Sequence, residues 1–165
     1  MLAVQGELSL EPLPVAVLVT RLGAAIVLGG LLGLERELKG KPAGLRTHMM
    51  VALGAACFSI AALEFTAAAS ARLGAPIAFD PSKVAEGIVT GIGFLGAGSI
   101  IQNRGSVEGL TTAGSIWLVG SIGLAAGAGA YLLASLAVAL ALVILRGLAA
   151  VESRIARHRR RAREL

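Results

Sequence analysis

An ionisable side chain placed in hydrocarbon costs about 2.5–3.5 kcal/mol at a helix centre, so each one found in an apolar run invites the question of what it holds. This chain has three, Arg21, Glu64 and Glu86. An arginine facing either acid could form an ion pair inside a bundle and leave the other carboxylate for a cation or a proton. The plainer alternative is that Arg21 and Glu64 snorkel to the surface and only Glu86 is buried. A second polar set is longer. Glu35, Arg36, Glu37, Arg46, Thr47 and His48 surround Lys41, Pro42 and Gly44, and Arg104, Glu108, Thr111 and Thr112 follow later. Side chains of these types can dock another membrane protein, close one end of an ion path, or do no more than hold the chain's topology.

Other chemistries find little support. His48 has no second His or acid three or four positions away, and neither H-E-x-x-H nor a Cys-His array occurs, so no metal site is expected. His158 sits in an Arg run, where solvation is the simple reading. Gly91-Ile92-Gly93-Phe94-Leu95-Gly96 matches G-x-G-x-x-G, but that pattern binds a dinucleotide only between a strand and a helix, and here it lies inside an apolar run. No Walker loop is present, and no Ser or Thr has an evident base, so no cofactor and no enzymatic activity are expected. The lone Cys57 excludes an internal disulfide.

The elements that must position these residues are membrane helices. With 56% hydrophobic residues, 15% charged, 22 glycines and a mean hydropathy of +0.81, the 165-residue chain is far from a soluble domain. Five spans are expected, at 13–34, 48–69, 81–101, 111–127 and 130–148, each near the ~20 residues that a 30 Å core needs. The fold class is therefore all-α, a polytopic transmembrane bundle, because lipid forces backbone groups into intrahelical bonds. The last two spans are separated only by Gly127-Ala128-Gly129, so a re-entrant hairpin is the competing arrangement. The polar stretch 34–48 reads as the loop between the first two spans.

Lys and Arg set the orientation. Arg36, Lys39, Lys41, Arg46, Arg104 and the run from Arg154 to Arg163 fall on one side, against Arg72 and Lys83 on the other. The rule that cytoplasmic loops are basic puts the N-terminus outside and the C-terminus in the cytoplasm. The organisation is then a short extracytoplasmic segment at 1–12, a membrane domain at 13–148 and a basic cytoplasmic tail at 149–165. No basic region precedes the first span while Glu7 and Glu11 do, so it reads as a retained helix and not a signal peptide. The net charge of +5 and the Arg-rich tail suit the anionic inner leaflet of the lipid bilayer better than nucleic acid, since no aromatics are interleaved.

Within the spans, Asp80-Pro81-Ser82 is a helix start, with the acid as cap and proline in the first turn. At 1.5 Å per residue, Arg21 lies about 12 Å, and Glu64 and Glu86 each about 8 Å, from the outer ends of their helices, so the three could meet. Gly29 with Gly33, Gly87 with Gly91, and Gly123 with Gly127 are small-xxx-small pairs, and Gly93, Gly96 and Gly98 extend the glycine content of the third span. Such faces let helices approach closely, within one bundle or between copies in a homo-oligomer.

The ordered motifs Gly33-Leu34-Glu35-Arg36-Glu37, Gly40-Lys41-Pro42-Ala43-Gly44-Leu45-Arg46-Thr47-His48, Asp80-Pro81-Ser82, Gly91-Ile92-Gly93-Phe94-Leu95-Gly96-Ala97-Gly98, Gly109-Leu110-Thr111-Thr112-Ala113 and Trp117 resemble the MgtC/SapB family. The resemblance implies a bacterial inner-membrane protein connected with magnesium limitation and, in some pathogens, with survival inside macrophages. It also points to a regulator acting on the F-type ATP synthase, where the family was once described as a magnesium transporter. Longer members continue into a soluble ACT-like domain, which this sequence does not include. Two functions are carried forward: a regulator that binds a larger membrane complex, and a passive or proton-coupled ion carrier with Glu86 and Glu64 near its path.

Overall fold

Long runs of Ala, Leu, Val and Gly with no interior proline leave the helix as the structure that satisfies each backbone group. The computed structural model describes residues 13–76, 78, 80–103 and 106–161, and the N-terminal segment 1–12, Arg104 and the last four residues lie outside it. Five helices result: α1 (Val15–Leu38), α2 (Leu45–Leu73), α3 (Pro81–Gly98), α4 (Leu110–Gly127) and α5 (Tyr131–Arg161). The all-α bundle expected from the sequence is what forms. By length and composition α1, α2 and α4 can each cross a membrane, and Tyr131–Gly147 of α5 is a shorter apolar stretch.

Several boundaries differ from expectation. The stretch 34–48 is mostly helical, because Leu34-Glu35-Arg36-Glu37-Leu38 are good helix formers and extend α1, while α2 begins at Leu45. Only residues 39–44 connect them. The turn is made by Gly40, at φ +61, in a left-handed C-terminal motif: its N–H donates to Glu37 O and that of Lys41 to Arg36 O. The same motif closes α4, where Gly129 is at φ +84 and the N–H of Ala130 donates to Ala125 O. Thus α4 and α5 are two separate helices, of 18 and 31 residues, joined by a tight turn.

Helix α3 ends at Gly98, three residues early, and the chain forms a small antiparallel hairpin that the sequence reading missed. Strands β1 (Ile101–Asn103) and β2 (Ser106–Glu108) pair Ile101 with Glu108, Gln102 with Val107 and Asn103 with Ser106. Gly109 then turns the chain into α4 at φ +88, where a Cβ would strike Ser99 O. At the other end of the sequence the backbone of α5 continues unbroken to Arg161. Ala, Arg, Glu and Leu dominate there and no glycine follows Gly147.

Helix α4 is the centre of the bundle. Val119, Ile122 and Ala126 pack with Ala25 and Leu32 of α1, Ala52 and Ala56 of α2, and Ala134, Val138 and Ala141 of α5. On its other side Ile116 joins Ala55, Ile88 and Ile92 in a smaller cluster that holds α3. Half of these side chains are alanine, and glycines allow the close approach that so thin a core requires. A Cβ on Gly127 would come within 2.7 Å of Ala56 O, one on Gly29 within 2.7 Å of Ala52 Cβ, and one on Gly123 would meet the Ala52 carbonyl.

Candidate functional site

Chain direction alternates from helix to helix, so the end of α1 and the starts of α2 and α4 gather at one face of the bundle. Gly33 lets α1 and α2 touch there, since a Cβ on it would lie 2.8 Å from both Leu45 Cα and His48 Cβ. His48 is fully buried. Its Nδ1 lies 2.9 Å from Gly44 O and its Nε2 3.1 Å from Ser115 Oγ. A carbonyl can only accept, so Nδ1 carries a proton, and the one proton of the Ser115 hydroxyl, which is donated to Thr112 O, is shared with Nε2 of the ring. Ser115 Oγ also lies 2.8 Å from Thr112 O. One imidazole therefore ties the first turn of α2 to the first turns of α4.

Beside it lies a buried ion pair. Glu35 and Arg36 are 2% and 3% exposed, and Arg36 Nε donates to Glu35 Oε2 at 2.8 Å. Lys39 Nζ reaches Glu35 Oε1 at 3.0 Å and also lies 3.3 Å from Leu145 O on α5. Glu37 takes a different part: its Oε2 accepts from the Leu45 N–H at 2.9 Å. Gly44 brings no capping side chain of its own, so a carboxylate from α1 caps the N-terminus of α2, where negative charge is favoured. The connection 39–44 is thus fixed at both ends. Lys41, Pro42, Arg46 and Thr47 stand exposed on it or just after it, and Thr111 is exposed while Thr112 is buried. Arg104, the remaining candidate on this side, lies outside the described residues.

The opposite end does not bring its charges together. Arg21 pairs with neither acid; its Nη1 donates to Gly127 O at 2.8 Å, binding α1 to the C-terminal end of α4. Carbonyls at a helix C-terminus lack intrahelical donors and carry partial negative charge, which is what a guanidinium seeks. Glu64 accepts from the Leu13 N–H at 3.1 Å. Glu86, expected inside the bundle, is exposed and pairs with Lys83 one turn earlier at 3.0 Å. The ion pair expected of Arg21 and the burial expected of Glu86 are therefore corrected. Asp80 does cap α3: its Oδ1 accepts from Ser82 N at 2.9 Å and from Ser82 Oγ at 2.6 Å, with Pro81 in the first turn. These bonds hold the Asp80 carboxyl below its ordinary range.

The glycines divide in two. Gly29, Gly33, Gly123 and Gly127 sit at helix contacts, whereas nothing lies within 4 Å of where a Cβ would stand on Gly87, Gly91, Gly93 or Gly98. Gly96 has only ordinary contact with Ala113. Among the described residues, then, Gly96 packs against α4 while Gly87, Gly91, Gly93 and Gly98 do not make the close contacts expected of them. His48, read in the sequence as one of the polar residues around the first loop and as weak evidence for a metal, and Ser115, not singled out at all, prove to be central. The available signal was Thr112, Ser115, Val119 and Ile122 at helical spacing, which put Ser115 on the face that α4 buries. Among the described residues no cluster of three His, Cys, Asp or Glu could hold a metal ion.

The motifs at this face coincide with those on which the family resemblance rested, and comparison with known proteins decides the matter. The MgtC family model matches residues 22–154. The chain belongs to the MgtC family. It is 41% identical over 113 residues to the protein named "Putative magnesium transporter YhiD" of Escherichia coli K12, a match covering 68% of this chain and 52% of that one. It is 40% identical over 116 residues to Protein MgtC of Brucella abortus strain 2308, covering 70% and 44%. Over 112 residues it is 40% identical to Protein SapB of Bacillus subtilis, covering 67% and 47%. The chain spans about half the length of these curated relatives. No solved structure matches it.

Proposed function

We propose that this MgtC-family chain is a multi-pass, non-enzymatic protein of the bacterial inner membrane that acts as a regulator in adaptation to low magnesium. In this reading it binds a larger membrane complex through the polar face at the end of α1 and the starts of α2 and α4. The observation that carries it is the way that face is built. Glu35 is taken up by Arg36 and Lys39; Glu37, His48 and Ser115 bind backbone groups; and Lys41, Arg46 and Thr111 are left exposed on that frame. Preorganised exposed cations lose little entropy on docking and fit an acidic partner surface. The family resemblance names the F-type ATP synthase as the first partner to look for. Crosslinking pull-down from native membranes under low and ample magnesium should capture such a complex with the wild type and less of it with Arg46→Ala. Capture of nothing but the chain itself under both conditions would contradict the reading.

The name of the YhiD relative favours a second reading, magnesium transport. Against a path through the single chain stand the packed apolar layer of Ala25, Ala52, Ala56, Val119, Ile122 and Ala126 between the two polar ends, and the separate partners of Arg21, Glu64 and Glu86. Liposomes holding the purified protein should take up Mg²⁺ no faster than empty ones. Saturable uptake abolished by Glu86→Gln would establish the carrier.

A further inference from the structure

Two of the open glycines of α3, Gly87 and Gly91, line a groove of about 700 Å³ between α2 and α3. Val51, Ala55, Phe58 and Ala62 form its α2 wall, and Gly87 and Gly91 contribute bare backbone on the α3 side. A void beside lipid forfeits dispersion contacts on all its walls, so something apolar must fill it. Along α3 the lining runs from Lys83 to Leu95, about 18 Å at 1.5 Å per residue. That is close to one leaflet's share, about 15 Å, of a 30 Å hydrocarbon core, whereas a docked transmembrane helix would need the full depth. The groove also has a polar end. Lys83 is the only charged residue among its lining, and Glu86 sits one turn away, 3.0 Å from the lysine, with the two side chains 71% and 62% exposed. An exposed pair of this kind holds weakly and can exchange partners.

We infer that the α2–α3 groove is a phospholipid site selective for a phosphoethanolamine headgroup, with one acyl chain along Gly87 and Gly91, the phosphate at Lys83 and the ammonium at Glu86. Charge complementarity chooses the headgroup. A phosphate alone would satisfy the lysine and repel the acid. A primary ammonium donates hydrogen bonds to the carboxylate, and a quaternary choline has no N–H to give.

The full chain carrying Phe58→Trp and Trp117→Phe, reconstituted in phosphatidylcholine vesicles, tests this with trace lipids brominated on the acyl chain as quenchers. Brominated phosphatidylethanolamine should quench several-fold more at equal mole fraction than brominated phosphatidylcholine or phosphatidylglycerol. Glu86→Gln should remove that preference, and Gly91→Leu, which adds bulk where no atom lies within 4 Å, should lower quenching by all three lipids. Equal quenching by the three headgroups would overturn the site, leaving ordinary boundary lipid. So would quenching that falls as the protein-to-lipid ratio rises, which would put a second copy in the groove.

Discussion

Ser115 gives a buried imidazole its only side-chain partner among the described residues, 67 positions away in the chain, and its loss would leave His48 Nε2 without that bond. Ser115→Ala should lower the unfolding free energy in detergent by about 1 kcal/mol, the cost of an unmet hydrogen bond tempered by the modest values found in membrane bundles. An unchanged stability would mean the ring does not depend on that hydroxyl. Arg21→Met should cost about 1.5 kcal/mol, since a charged hydrogen bond to Gly127 O is lost, while Glu86→Gln should leave stability unchanged. Equal losses in both variants would revive the pairing suggested by the sequence. Asp80 carries a pH prediction. Its carboxyl is held below the ordinary aspartate value of about 3.9 by Ser82, so the folded state binds that proton more weakly than the unfolded one. The stabilisation is full above that value and is lost as pH falls through the lower, folded-state value. Thermal melting should separate wild type from Asp80→Ala near neutral pH, and the gap should close in strong acid. At this scale the Asp80 cap was legible because capping is local, whereas Arg21 and His48 were not, because their partners are chosen by packing between distant helices.

Helix type and order were readable from apolar runs alone, and the ends were not. Polar residues at 35–37 are good helix formers, so hydropathy ended α1 where lipid contact was expected to stop and not where hydrogen bonding stops at Leu38. The true punctuation was Gly40, with its positive φ, and not Pro42. The hairpin after α3 escaped notice because its strands are three residues each, too short for an alternating pattern. Glycine pairs were legible as packing motifs, but the sequence could not tell occupied faces from open ones. That difference is testable. Gly123→Ala places a methyl against the Ala52 backbone and should cost about 1–3 kcal/mol, whereas Gly91→Ala meets nothing and should be neutral or up to about 1 kcal/mol stabilising. Comparable losses at both sites, read by denaturation in detergent, would mean that α3 is packed more closely than described.

Taken whole, the molecule has two unlike ends joined by an alanine-rich core. One end spends its charges singly, on a helix terminus, a backbone N–H and an exposed pair. The other concentrates them in a buried network and presents Lys41, Arg46 and Thr111 outside it. The central claim is that this second end is where a partner docks. A photo-crosslinking residue placed at Arg46 in one variant, and at Phe65 of the opposite half of α2 in another, would test it in native membranes. The account predicts that a discrete adduct with a membrane complex forms from position 46, strengthens when magnesium is scarce, and is absent from position 65. Adducts of equal yield from both positions, or none but self-adducts from position 46, would contradict it.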